Sequence, residues 1–487
     1  MKILTAIVVL LIAPSLAFSA TIYVPDNYAK IQGAIYAAAN GDSVIVRPGT
    51  YVENINFMGK TITVRSERGP EVTTIDGGNP KYPDYGSCVY ICNQEAPVLE
   101  GFTITNGKGT DSWLGRLGGG IMVTYSSRPT LRNNIITGNH PPRGCYGGGI
   151  YTSALSDVTI EDSLIYKNGA SDGSKGGGIY CQDSTLTVIN SAIISNKVEQ
   201  SFYGLGGGIY VRETNTTLTN VVIYMNEAFN GGGIFSVSYP LSLTNCTLCR
   251  NDAKYGGEGG GIYLAACNAT VTNSIMSKDS GYEVTLTSSS SLTVRYSDIE
   301  GGQDYISGVP YGGTLNWGPG MIEDDPLFYD SYNGDLHLTW DSPCRDVGDN
   351  SAVAAPTDFE DDPRIALGTV DMGADEYYYH LYQMGDVVPG SPIHINVVGY
   401  PTAPVTLFLG SGLADPPYST QYGDFYLNWP PLWQGQIGTV AGDGVKAFST
   451  TVPSNWTPGS EHPLQALVGP WGGAYSKLTN LDTLMVE

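Results

Sequence analysis

Through the first two-thirds of the chain, short runs alternate an apolar residue with Thr, Ser or Asn. Thr185-Leu186-Thr187-Val188, Thr217-Leu218-Thr219-Asn220-Val221 and Leu241-Ser242-Leu243-Thr244 are examples. This is the period-2 pattern of a strand buried on one face. Val44-Ile45-Val46, Ile62-Thr63-Val64 and Phe102-Thr103-Ile104 extend it upstream, and Leu292-Thr293-Val294 extends it downstream. One stretch has a helical period instead. Ile31, Ala34, Ile35 and Ala38 stand at i, i+3, i+4 and i+7, and Asn40-Gly41 supplies a stop.

Two further marks are superimposed on the strands. Gly-Gly-Gly-Ile occurs six times, ending at Ile121, Ile150, Ile179, Ile209, Ile234 and Ile262, at spacings of 29, 29, 30, 25 and 28 residues. An Ile/Leu-x-x-Asn mark follows in step, ending at Asn139, Asn168, Asn196, Asn226 and Asn251, with a degenerate last copy at Asp279. Such periods mean stacked units, none of which buries its own face alone. With no helical segment between the strands, the stack is a parallel β-helix. About ten coils at ~4.8 Å each predict a rod of roughly 50 Å. Gly supplies positive φ at one corner. Asn, which tolerates the left-handed conformation, suits another, and its amides are expected to form a ladder along the rod. The helical stretch is expected to cover the first coil, since an open strand edge invites pairing.

The pattern divides the chain into a leader at 1–19, a β-helix at 20–320, an acidic segment closing it at 321–376, and a small C-terminal β-sandwich at 377–487. The leader has Lys2, an apolar run from Ile3 to Ala13 and a small-x-small site ending at Ser19, the form of a signal peptide. The run is too short to span a bilayer, and no transmembrane segment is expected in the mature chain. A secreted or cell-surface location follows. Short runs such as Val405-Thr406-Leu407-Phe408-Leu409 and Leu464-Gln465-Ala466-Leu467-Val468, separated by Pro/Gly/Asp turns, give the sandwich.

The net charge of −23 excludes nucleic acid as a partner class, which would need a basic footprint. It also opposes a bare anionic glycan unless a cation intervenes. Eight cysteines fit an oxidising compartment, as structural thiols or disulfides. Residues 321–376 hold 15 Asp+Glu against 2 Arg. Glu323-Asp324-Asp325, Asp346-x-x-Asp349 and Asp358-x-Glu360-Asp361-Asp362 offer hard oxygen ligands, so Ca²⁺ is a candidate cofactor, with solubilising charge as the alternative.

The stretch Gly41-Asp42-Ser43-Val44-Ile45-Val46, Pro48-Gly49-Thr50-Tyr51 and Gly59-Lys60 resembles the first coil of the pectin-lyase-like right-handed β-helix superfamily. The paired Gly-Gly-Gly-Ile and Ile-x-x-Asn marks are similar to repeats of the chlamydial polymorphic outer-membrane adhesins. The segment with Asp325-Pro326-x-Phe328, Gly334-Asp335, Ser342-Pro343, Asp358, Arg364 and Asp371-x-Gly373-Ala374-x-Glu376 resembles one that follows β-helices in secreted bacterial proteins. These resemblances imply an all-β, right-handed parallel β-helix with a capping helix. They leave activity open, because the superfamily holds lyases, hydrolases, esterases and non-catalytic surface proteins. The adhesins' barrel-forming unit has no counterpart in the sequence.

Segments between each Asn corner and the next Gly-Gly-Gly should stack along one face, where variable loops on a rigid scaffold carry function. Trp113, Tyr146, Tyr203 and Tyr255 are candidate sugar platforms there. Arg116, His140, Arg143 and Lys175 are the candidate catalytic cations for β-elimination on a uronate, which needs a base and a group on the carboxylate. Hydrolysis would need facing carboxylates such as Glu227 with Asp252 or Glu258. The row Met122, Tyr151, Tyr180, Tyr210, Phe235 and Tyr263 is read as a stiffening stack, with an exposed stripe for sugars or a partner as the alternative. Trp429, Trp433, Trp456 and Trp471 of the sandwich are read as core or loop-packing residues, with a second carbohydrate platform as the alternative. The function expected is binding of extracellular polysaccharide or a cell-surface glycan through stacked loops, with a polysaccharide lyase or glycoside hydrolase as the alternative.

Overall fold

The structure, a computed structural model, describes residues 19–377 except 83, 114, 143, 172, 200–202, 340, 361 and 366–367, and beyond them mainly strands between Leu381 and Met485. Residues 1–18, almost all of the expected leader, lie outside this range. Among the described residues no helix is long and apolar enough to cross a membrane.

Residues 21–317 form a parallel β-solenoid. One ten-stranded parallel sheet carries the repeat isoleucines in register, Ile121 on Ile150 on Ile179 on Ile209 on Ile234 on Ile262. A twenty-stranded sheet forms the remaining walls. A second inward column runs through Ile104, Ile136, Ile165, Ile193, Ile223 and Leu248. All twelve of these side chains are fully buried in one core. Alternation therefore sets the fold directly: a one-residue slip in any coil would turn its column out of the core.

The Asn ladder forms as expected. Nδ2 of Asn139 donates to Oδ1 of Asn168 (2.9 Å), Asn168 to Asn196 (3.0 Å), Asn196 to Asn226 (3.1 Å), and Asn226 to Asn251 (3.0 Å). The left-handed residue at this corner is not the asparagine, however. It is the one before it: Gly138, Lys167, Ser195, Met225 and Arg250, at φ between 50° and 63°. This turn aims the amide inward, where each Nδ2 also bonds a carbonyl of the preceding coil, such as Ile165 for Asn196 (2.8 Å). Left-handed asparagines occupy a different corner, at Asn133, Asn190, Asn220, Asn245 and Asn273.

The glycines divide the work at their own corner. The first of each triplet has φ between 55° and 73°. A Cβ on the second, Gly177, would lie 2.5 Å from the carbonyl oxygen of Gly207. One on the third, Gly178, would lie 3.1 Å from the amide carbon of ladder residue Asn196.

The helix Ile31–Ala37 buries Ile31, Ala34 and Ile35 against the first coil. Both its ends are satisfied from the next strand pair. Glu53 accepts from the N–H groups of Ile31 (2.9 Å) and Gln32 (3.1 Å), and Lys60 Nζ donates to the carbonyls of Ile35, Tyr36 and Ala38.

The contacts of the acidic segment run along the flank of the rod. Asn220 donates to the Thr357 carbonyl (2.8 Å), Asn273 to that of Asp349 (3.0 Å), and Tyr224 Oη to that of Ser331 (2.9 Å). Ala374 packs with Ala192, Val222 and Cys249 of the coils. The left-handed asparagine corner thus receives the segment, a role its sequence did not announce. Past it, the described strands pair antiparallel, as Pro392–Val398 does with Val445–Thr451 and Pro404–Leu409 with Glu461–Val468.

All eight cysteines are buried free thiols. Burial pushes the thiols of Cys88, Cys181 and Cys246 up to about 12, so they are unreactive packing groups. No disulfide supports the reading of an oxidising compartment.

Candidate functional site

The segments between Asn and Gly corners do stack on one face. Gly169–Ala170, Lys197–Val198, Glu227–Ala228 and Asp252–Ala253 pair as a four-stranded sheet over a small cluster of Cys145, Ala170, Val198 and Ala228. Nearer the helix, Gly109–Ser112 and Gly115–Leu117 form a hairpin that pairs with Tyr85–Gly86 on one side and Cys145–Tyr146 on the other.

Among the described candidate cations, Arg116, His140 and Lys175 hold separate positions along this face. Arg116 is held within its own hairpin, bonding Asp111 (2.9 Å) and the carbonyls of Lys108 and Gly109. His140 is exposed and lies against Gly169 of the next coil. Arg143 lies outside the described residues. Lys175 is two coils from Leu117, through Tyr146. Its Nζ sits 5.0 Å over the Tyr210 ring. Burial, with the nearby charge of Arg212, lowers its pKa.

Among the sugar platforms, Trp113, Tyr203 and Tyr255 project into solvent, at 91%, 78% and 55% exposure. Tyr146 instead packs edge-on to Tyr180 at 5.1 Å. The row behind it is a stack: Tyr151, Tyr180, Tyr210, Phe235 and Tyr263 follow one another at 4.8–5.6 Å with planes within 11°. Most of it is buried, so it stiffens the wall and offers no open stripe. The carboxylates proposed for hydrolysis are neighbours in register, Glu227 on Asp252, and both pair with Lys254. They do not face each other across a gap.

Among the described residues there is a concavity that no sequence mark announced. A cleft of about 600 Å³ opens between the capping helix and an excursion that includes residues 79–82 and 84–87. Tyr36, Tyr82 and Tyr85 rise around it at 60–62% exposure, Tyr90 lines it from the ten-stranded sheet, and Lys30 and Lys81 stand at its rim. Its floor is fixed by reciprocal bonds between Gln32 and Asn56 (3.0 and 2.6 Å) and by Asn54 Nδ2 donating to the Ser87 carbonyl (2.9 Å). This excursion belongs to the same loop face, since Tyr85–Gly86 pairs with the Trp113 hairpin. It lies before the first Gly-Gly-Gly-Ile, where no repeat mark announced it.

The family described as "Right handed beta helix region" matches residues 49–205 and 198–317, more than half of the chain. The chain belongs to this right-handed β-helix family. The first-coil resemblance is therefore upheld at the level of fold. Among curated proteins none matches by sequence. Solved structures similar to this β-helix include a pectin methylesterase from carrot, 10% identical, covering 55% of this chain and 85% of that one with a TM-score of 0.30. Another is the full-length tailspike protein 2 of a bacteriophage of Escherichia coli O157:H7, at 13%, 96%, 68% and 0.31. The enzymatically active domain of the bacteriophage CBA120 tailspike protein 2 stands at 13%, 96%, 76% and 0.33. At such overlap none of them bears on activity.

The far end of the β-helix holds a second chemical feature. Asp279 replaces asparagine in the ladder and accepts from the N–H (2.5 Å) and Nδ2 (3.0 Å) of Asn251. Its Oδ2 and Glu283 Oε2 are buried and have no hydrogen-bond donor. One proton shared by the two carboxyls would satisfy both atoms. Burial raises the pKa of Asp279 to about 7 and that of Glu283 further above its ordinary value. The folded state therefore keeps a proton that the unfolded chain releases near pH 4, so stability falls as pH rises from there through 7. Asp279→Asn should continue the ladder without that proton. Its melting temperature is expected to exceed the parent's at pH 8, by about 1–2 kcal/mol of stability, with the gap closing toward pH 4. A gap independent of pH would contradict the shared proton.

The acidic runs proposed as Ca²⁺ ligands serve largely as turn and loop ties. Asp325 pairs with Lys278 (3.0 Å), Asp349 caps Ser351 (2.9 Å), and Asp358 accepts from the N–H groups of Glu360, Asp362 and Glu376. Of the four tryptophans of the expected sandwich platform, Trp433 opens the strand Trp433–Thr439, and Trp429, Trp456 and Trp471 lie outside the described residues.

Proposed function

We propose that this β-helix is an exported glycan-binding protein that does not turn over its ligand. Its principal subsite is the tyrosine cleft at the helix-capped end, extended along the loop face by Trp113, Tyr203 and Tyr255. The observation that carries the reading is the cleft itself: four tyrosines over a hydrogen-bonded amide floor. Flat aromatic rings suit the apolar faces of sugar rings, and the amides and rim lysines suit hydroxyls. The net charge of −23 favours a neutral glycan, or an anionic one bridged by cations.

Affinity electrophoresis in polysaccharide-containing gels tests this. Tyr82→Ala and Tyr85→Ala should each weaken retention roughly three- to tenfold, from lost ring contact. Trp113→Ala and Tyr203→Ala should have smaller effects that depend on chain length. Unchanged retention of all four variants would end the proposal.

A second reading, a uronate lyase, is favoured by one observation. Lys175 Nζ sits 5.0 Å over the Tyr210 ring, and its burial there lowers its pKa, as a base for β-elimination needs.

A further inference from the structure

The acidic segment draws together three side chains that are distant in sequence. His337, Glu360 and Asp375 present ligand atoms that all lie within 4.8 Å of one another. His337 belongs to the strand Asp335–Leu338, and Glu360 and Asp375 come from the two loops that follow. Asp358 ties those loops by accepting from the N–H groups of Glu360 (2.8 Å) and Glu376 (2.9 Å).

Two details point to a cation between these groups. Asp375 Oδ1 is buried and has no hydrogen-bond partner. The imidazole is also held as a metal-binding ring would be. Its Nδ1 stands 2.6 Å from Asp335 Oδ1, and its Nε2 faces Glu360 Oε2 at 3.1 Å. A ligating histidine commonly donates its other N–H to a carboxylate, which fixes the tautomer and orients the ring. Metal–ligand bonds of about 2.0–2.2 Å place neighbouring ligand atoms about 3 Å apart, the separation between His337 Nε2 and Glu360 Oε2. Three carboxylates (Asp335, Glu360 and Asp375) surround the one imidazole. Arg364, the buried cation nearby, donates through Nη2 to the carbonyls of Asp371 (3.0 Å) and Gly373 (2.6 Å), and its Nε and Nη1 have no hydrogen-bond partner among the described residues.

We propose that His337 Nε2, Glu360 and Asp375 bind one divalent first-row transition ion of the Zn²⁺ class, with Asp335 orienting the ring from behind. An imidazole among carboxylates selects such an ion over Ca²⁺, which takes six to eight oxygens. The ion joins three separate stretches of the acidic segment, so its role is to fasten that segment into a single unit on the flank of the rod. The runs of adjacent carboxylates are not the site. Its ligands are 23 and 15 residues apart along the chain.

The full chain, stripped with chelator and dialysed, is titrated calorimetrically with ZnCl₂ and separately with CaCl₂, and melted with and without Zn²⁺. One Zn²⁺ per chain, a raised melting temperature and much weaker binding of Ca²⁺ are expected. Glu360→Gln, at an exposed position, keeps the fold and should weaken Zn²⁺ at least tenfold. Asp335→Asn should weaken it about 10–100-fold through the ring's orientation. His337→Ala should abolish stoichiometric binding. If that variant fails to fold, the Glu360 and Asp335 variants decide. Three results would each overturn the site: no stoichiometric Zn²⁺ on the folded parent chain, equal affinity in parent and Glu360→Gln, or preference for Ca²⁺. The first would leave a protonated imidazole as the clamp.

Discussion

Gly177→Ala is expected to abolish the folded rod. A Cβ there would lie 2.5 Å from the Gly207 oxygen and 2.7 Å from both the N and the carbonyl carbon of Lys197. All three obstacles are backbone atoms of the next coil, and both coils are fixed by parallel ladders on either side of the corner. Relief would require separating two coils in the middle of the stack, where each unit is held by its neighbours alone. The cost should exceed about 4 kcal/mol, in the range reserved for broken backbone packing. Gly33→Ala is the control. Its nearest neighbour would be Tyr28 at 3.6 Å, and Gly33 lies inside the capping helix. There an alanine should be neutral or stabilise by about 0.5–1 kcal/mol. Denaturant unfolding of the two variants measures the contrast, and a Gly177→Ala midpoint close to the parent's would contradict the close coil approach.

Asn196→Ala should cost as much as the loss of any residue inside the ladder. Asn196 Oδ1 accepts from the N–H (3.0 Å) and Nδ2 (3.0 Å) of Asn168, and its own Nδ2 donates to the Ile165 carbonyl and to Asn226. Alanine would strand the two Asn168 donors and the Ile165 acceptor in a fully buried channel. At about 1–3 kcal/mol for each orphaned group, partly offset by relaxation, the expected loss is about 3–5 kcal/mol. Hydrogen exchange gives a sharper readout. The amide protons of Asn168 and Asn196 should lose protection first, with fraying spreading to the adjacent coils. Uniform loss across the rod, or none, would mean that the ladder does not carry local stability.

The repeats made most of this architecture legible, because period, inward column and ladder are each stated six times in the chain. What a repeat could not reveal was which residue adopts the left-handed turn. Lys167, Ser195 and Met225 share no chemistry. The turn is imposed on them by the buried amide that follows, so the asparagine itself carried the signal. The charges of the loop face were visible, but their partners were not. Arg116 and Lys254 are held by Asp111 and by Glu227 and Asp252, contacts that arise only once the hairpin and the loop-face strands form. The tyrosine cleft escaped notice for a related reason. Tyr36 sits on the capping helix, and Tyr82 and Tyr85 lie in a coil without the glycine mark, so nothing in their spacing linked them. In the acidic segment, adjacency was legible and proximity across the fold was not. Carboxylates next to one another cap their own turns, while His337, Glu360 and Asp375 meet only through folding.

The most direct test of glycan binding without turnover is to incubate the parent chain with neutral and anionic polysaccharides, the latter with Ca²⁺. Retention, ultraviolet absorbance of unsaturated uronate and reducing-end release are followed together. The account predicts retention on at least one polysaccharide, lost in Tyr85→Ala, with both product channels silent. New absorbance that disappears in Lys175→Met would contradict it and establish the lyase.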